Sequence, residues 1–248
     1  DSVEEMDAKY ADYEYQMIDL ENIEEMIADT MQVDDVEEMD QNVLEQSFKE
    51  DPFDYNTLYK LIYIYRNTKQ TDKLEEMRNH TLTYFPLADE MWLEWIKDKK
   101  QKIVKGSIKG RIEMLNFMKK AFNDFYYPKI CVKFLKSMIK LKNYNEEYSV
   151  ENIRRYFDEF LRIWSLDFNL STGIYDLYMA FEKANLAEAV GDQVKTNFLI
   201  KQIRSIYKRR LSNPHIDLDI IWTEYKKWET DQNELAAIEQ KYKEVKKN

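Results

Sequence analysis

The chain has 248 residues, with 47 Asp/Glu against 37 Lys/Arg, two His, one Cys, and only four Gly and four Pro. Against about 7% Gly and about 5% Pro in ordinary proteins, that scarcity predicts an almost wholly helical chain and excludes turn-rich sandwiches and barrels. The lone Cys131 excludes an intrachain disulfide and fits a reducing compartment, and no apolar run approaches the ~18 residues that cross a bilayer.

The net charge of −10 hides an asymmetry. Residues 1–50 carry 18 acidic groups against Lys9 and Lys49, while the remainder carries 29 acidic and 35 basic groups. An acidic arm, residues 1–40, is therefore expected before a mildly basic body, residues 41–248. Tyr13, Met17, Leu20, Ile27 and Met31 recur in the arm at three-, four- and seven-residue steps. One amphipathic helix over 10–31 and a disordered acidic tail both fit this pattern. The chain opens on DSVEEMD, with neither an initiator Met nor the charged-then-apolar design of a secretory leader, and is expected to be a piece of a longer protein.

A short helix at 43–48 is expected to begin the body. After Asp51-Pro52, helical spacing predicts a helix over 55–66, with Tyr59 on it and Leu58, Leu61, Ile62 and Tyr65 on one face. Thr71 is expected to cap a second helix, with Leu74, Met77 and Leu82 inward. Phe85-Pro86 stops that helix, because a residue before Pro avoids the α region. The next pair spans 89 to 125, carrying Trp92 and Trp95 in its first helix, with a loop expected at 105–110 and a second helix over 111–125. Tyr127-Pro128 repeats the break. A third pair follows at 129–142 and 150–164, with Cys131 and Phe134 in the first helix and Ser149 as the expected cap of the second. A fourth is predicted at 172–190 and 193–211, with Tyr175, Tyr178 and Phe181. A fifth is predicted at 217–230 and 234–247. Its first helix carries Trp222, Tyr225 and Trp228, three residues apart. Each triplet makes a slanting apolar stripe on one side of its helix. The stripes recur at intervals of 34 to 47 residues, so the predicted fold class is all-α, an α-α superhelix of about five helix pairs. The aromatics are expected to be repeat-packing core. In the last helix Leu235, Ile238, Tyr242 and Val245 form one row that can cover the fifth pair.

The second helices also match each other. IRRYFDEFL at 153–161 and IRSIYKRRL at 203–211 share Ile-Arg, an aromatic four residues after the Ile, and Leu eight after it. Together, W-x-x-W/Y-x-x-F/W in first helices and I-R-x-x-aromatic-x-x-x-L in second helices resemble the half-a-TPR (HAT) repeat family. DPFDYNTLYKLI at 51–62, FPLADEMWLEWIKD at 85–98 and the stretch 187–228 are similar to one group within it, the U4/U6 snRNP-recycling factors. The resemblance covers about 41–248 and departs at Cys131, where the family carries Trp. It implies a nuclear scaffold that contacts spliceosomal snRNP proteins, in a whole protein that dimerises through later repeats. HAT scaffolds of mRNA 3′-end cleavage or ribosomal RNA processing are the alternative.

No catalytic constellation stands out. His80 and His215 lie far apart without ligand-spaced Cys, so no metal site is expected. KGSIKG at 105–110 lacks the preceding strand and the GK[ST] of a phosphate-binding loop. No cofactor, small-molecule substrate or membrane contact is expected, and no enzyme activity. Basic groups remain as candidates for a partner or RNA surface: Lys97, Lys99, Lys100 and Lys102 in one cluster, Arg154 and Arg155 in the third pair, and Arg204, Lys208 and Arg209 in the fourth. Solvated helix faces are the simpler reading of such cations. RNA contact is expected to be weak, because the aromatics that would stack bases are needed inside. The chain alone is expected to be monomeric.

Overall fold

The structure is a computed structural model that describes residues 40–103, 107–164 and 167–247, with only the backbone at 168 and 169. Residues 1–39 of the acidic arm, with its candidate helix, and residues 104–106, with Lys105, lie outside the described residues. Among those described there are eleven α-helices and no strand. They fall into two compact units, one ending at Phe85 and one beginning at Pro86.

The first unit holds α1 (Gln41–Glu50), α2 (Tyr55–Asn67) and α3 (Thr71–Tyr84). Asp40 and Asp54 cap α1 and α2, each accepting backbone N–H groups that the first turn leaves orphaned. Leu58, Leu61, Ile62 and Tyr65 are buried between Leu44 of α1 and Leu74 and Met77 of α3. Thr71 is not a cap: it is the first residue of α3, which has no side-chain cap. Leu82 is only half-buried, and Thr81, which bonds back to the Met77 carbonyl, takes the inward position.

The second unit holds four helix pairs. The first helices are α4 (Asp89–Lys102), α6 (Pro128–Ile139), α8 (Phe168–Glu188) and α10 (Leu218–Trp228). The second helices are α5 (Ile108–Asp124), α7 (Val150–Trp164), α9 (Gln193–Leu211) and α11 (Gln232–Val245). Each second helix up to α9 packs on its own first helix and on the first helix of the next pair, while α4, α6 and α8 follow one another. This is the helical-repeat arrangement the recurring stripes predict.

Several boundaries differ from expectation for local reasons. Helix α5 starts at Ile108 because the Ser107 hydroxyl accepts the Gly110 N–H, shortening the expected loop. Gly110 is buried there against Ile103, whose Cγ2 would lie 2.2 Å from an added Cβ. Helix α8 starts at Phe168, four residues early, capped by Asp167. Between α6 and α7 the polar loop makes a single 3-10 turn at Glu146–Tyr148 that buries Tyr148. Ser149 then caps α7 as expected, accepting from the Asn152 N–H.

Candidate interaction surface

The aromatic stripes supply the interior of the second unit. Trp92, Trp95, Cys131, Phe134, Tyr175, Tyr178, Phe181, Trp222 and Tyr225 are all buried, whereas Tyr59 and Trp228 are half-buried. Second-helix rings grip the stripes both within a pair and across to the next. Phe117 of α5 meets Trp95 edge-on at 5.2 Å, and Tyr156 of α7 meets Phe134 at 5.0 Å, each within its own pair. Across pairs, Phe157 of α7 stacks on Tyr178 of α8 at 4.4 Å, and Tyr207 of α9 lies 5.3 Å from Tyr225 of α10. Such ring pairs add about 0.5–1.5 kcal/mol beyond the area they bury. Polar handles fix the geometry. Trp92 Nε1 donates to Asp124 at 2.9 Å, and Trp164 Nε1 donates to the Tyr126 carbonyl at 2.7 Å. Cys131 fills the position of an aromatic without leaving its helix exposed, and burial pushes its thiol pKa up, so the unreactive thiol form persists.

The candidate cations separate into two kinds. Arg154 of α7 makes a bidentate pair with Glu182 of α8, at 2.7 and 2.8 Å. Arg204 of α9 does the same with Glu229, just after α10, at 2.6 and 2.9 Å. Both carboxylates are buried. The two pairs occupy one register: each Arg lies three residues before the aromatic that meets the next pair, and each Glu lies four residues after its partner ring. Burial opposes ionisation of Glu229. Arg204, the Asp231 N–H and the Tyr225 hydroxyl overcome it and hold the carboxyl down at about 2. Aligning Phe117 of α5 with Tyr156 of α7, each of which meets a ring of its own first helix, sets Leu115 at the position of Arg154 and Met138 at that of Glu182, and both are buried. At these positions the second and third pairs carry two apolar residues where the later pairs carry an ion pair.

Lys208 bonds Glu234 of α11, and Arg209 bonds Asp158 of α7. Arg154, Arg204, Lys208 and Arg209 are therefore committed to carboxylates of the fold. Lys97, Lys99, Lys100, Lys102 and Arg155 are exposed or half-exposed, and Lys99 sits 5.5 Å from the Phe117 ring. Sequence reasoning named Arg154 and Arg204 but missed Glu182 and Glu229. Their signal was a Glu directly after the last aromatic of a stripe, as in Phe181-Glu182 and Trp228-Glu229. Among the described residues, no group of three His, Cys, Asp or Glu is placed to hold a metal ion, and no helix is long and apolar enough to cross a membrane.

Stacked helix pairs joined by aromatic stripes and second-helix arginines define a helical-repeat protein of the half-a-TPR kind. The chain belongs to the Suppressor of forked (Suf) family, whose profile matches residues 39–247. It is similar to the human protein "Spliceosome associated factor 3, U4/U6 recycling protein", at 25% identity over 209 residues, covering 81% of this chain and 20% of that protein. The Pongo abelii protein of that name matches at the same identity and coverage. It is also similar to "mRNA 3'-end-processing protein RNA14" of Gibberella zeae, at 22% identity over 199 residues, covering 79% of this chain and 19% of that protein. The chain spans about a fifth of the length of the curated relatives it matches.

Proposed function

We propose that this chain is a protein–protein interaction scaffold in pre-mRNA splicing, serving assembly and recycling of the U4/U6 snRNP. The observation that carries the reading is the likeness to U4/U6 recycling proteins over 81% of the chain, in a segment whose conspicuous residues build a repeat stack. Residues 41–248 form the scaffold in this reading, and residues 1–40 are an acidic arm. It works in the nucleus, without catalysis or a cofactor, and its partners are snRNP proteins. Lys97, Lys99, Lys100, Lys102 and Arg155 belong to the surface open to those partners. Direct RNA contact is weak, because Arg154, Arg204, Lys208 and Arg209 spend their charge on carboxylates of the fold. The fragment is monomeric, and self-association belongs to repeats beyond it.

A scaffold of mRNA 3′-end processing is the second reading, favoured by the likeness to the Gibberella zeae protein. A pull-down from nuclear extract on the tagged chain separates the two. Recovery of U4 and U6 particle proteins supports the first reading. Recovery of 3′-end cleavage factors instead moves the assignment to the second, and recovery of neither set sinks both.

A further inference from the structure

The outer face of α7 and α9 holds a pocket of about 320 Å³ lined by Asp158, Leu161, Arg162, Tyr175 and Arg209. Its floor is Leu161 and Tyr175, both buried, with the Arg210 guanidinium 5.7 Å from the centre of the Tyr175 ring. Its rim is charged. Arg209 places two nitrogens on one Asp158 oxygen, at 2.8 and 2.7 Å, so those two charges offset each other. Arg162 makes no ion pair with any described residue and is exposed, leaving the pocket with one uncompensated positive charge. The Tyr175 hydroxyl has no hydrogen-bond partner among the described residues. Burial raises its pKa, so it stays a donor at neutral pH. The pocket therefore offers the Arg162 guanidinium and a phenol above an apolar floor, beside the paired Arg209 and Asp158, and its size is near the lower end for binding sites.

The same face of α9 continues toward its N-terminus. Val194, Phe198, Lys201, Ser205 and Arg209 follow at three- and four-residue steps and share one side of the helix. Val194 is 82% exposed and Phe198 is 47% exposed. Phe198 lies eleven residues before Arg209, about 16 Å along the helix. A single segment of a partner can reach both the apolar patch and the charged pocket.

We propose that this α7–α9 face docks an acidic peptide segment of a partner protein, seating one carboxylate side chain against Arg162 and the Tyr175 hydroxyl, and apolar side chains on Val194 and Phe198. Charge complementarity selects this occupant. A polyphosphate backbone fits less well, because it has no apolar side chain to cover Val194 and Phe198 and would run its charges past Asp158 and the 80%-exposed Glu151. Single-strand binders also need free aromatic platforms, and Phe198 already has the Arg154 guanidinium 5.2 Å from its ring centre. This deepens the scaffold reading and rests on it only for the existence of a protein partner. The test needs no spliceosomal component, so the two can fail separately.

The test is fluorescence anisotropy with the whole chain at physiological salt. The probes are a labelled peptide of repeated Glu-Leu-Glu-Glu units and a labelled oligouridylate of similar length. The peptide is expected to bind, and Arg162→Glu to weaken it about tenfold, as loss of a close charge partner does. Tyr175→Phe keeps the ring and removes one hydrogen bond, weakening binding about threefold. Lys227→Glu, a charge reversal on exposed α10 surface, leaves affinity within about twofold. Circular dichroism melting checks that each variant is folded, and Arg162→Gln replaces the reversal if that variant melts early. No peptide binding by the unmodified chain would overturn the proposal. So would equal losses from Arg162→Glu and Lys227→Glu, which mean general charge attraction. RNA binding tighter than peptide binding and lost in Arg162→Glu would reassign the face to RNA.

Discussion

The chain contains its own control for the buried ion pairs. Arg154 and Glu182 face each other at one junction, and the equivalent positions one repeat earlier are the buried Leu115 and Met138. Replacing both charges, as Arg154→Leu with Glu182→Met, is therefore expected to change stability little. Replacing one is not. The Glu182 side chain is fully buried, and Arg154 supplies both of its hydrogen bonds. Arg154→Leu strands that carboxylate at a cost of about 3–5 kcal/mol. Glu182→Met is milder, because the Arg154 side chain is 14% exposed and can extend toward Glu151 and solvent. At about 2–4 °C per kcal/mol for a domain of this size, Arg154→Leu lowers the melting temperature by roughly 6–20 °C. The double variant should recover most of that drop. Thermal unfolding of the four proteins by circular dichroism gives the cycle directly. Equal losses from the two single variants, with the double variant at their sum, would refute the reasoning. The same exchange at Arg204 and Glu229 should recover less. Glu229 also accepts from the Tyr225 hydroxyl and from the Thr230 and Asp231 N–H groups, which the exchange leaves unsatisfied.

Trp92→Ala should cost about 3–5 kcal/mol, since it empties a fully buried site and leaves Asp124 with only its bond from the Leu87 N–H. Trp222→Ala should also destabilise, by losing the stack on Tyr242 at 4.9 Å; an unchanged melting temperature with a lost partner would make either Trp a surface anchor instead. Acid should weaken the fourth-to-fifth junction. The Glu229 pKa of about 2 lies below its ordinary 4.5, so its contribution is present above pH 4.5 and is lost as pH falls toward 2. Arg204→Leu should flatten that part of a pH–stability curve. Hydrogen exchange should be fastest, among the helices of the second unit, in α11, whose one buried residue is Ile238. Full protection of α11 in a proven monomer would mark it as a true cap of the stack.

Helix pairing was legible in the sequence because both of its causes are local. Pro-bracketed segments end helices whatever surrounds them, and aromatics at three-residue steps make an apolar side that must be covered. Hence Tyr55, Asp89, Val150 and Gln193 all begin helices close to where spacing placed them. Helix ends were less legible, because Ser107 and Asp167 cap through single hydrogen bonds that composition does not reveal. The roles of the cations were decided only by tertiary structure. In the sequence, Arg154 and Arg155 are adjacent and chemically identical. Their side chains leave the helix about 100° apart, so one meets a buried carboxylate 28 residues away while the other faces water. The pocket at Arg162 likewise joins residues of three helices, and its chemistry exists only because α8 packs on both α7 and α9 and so brings Arg209 to Asp158. Local spacing determines which residues share a helix face. Only packing determines which of those faces a neighbouring helix covers, and so which charges remain for a partner.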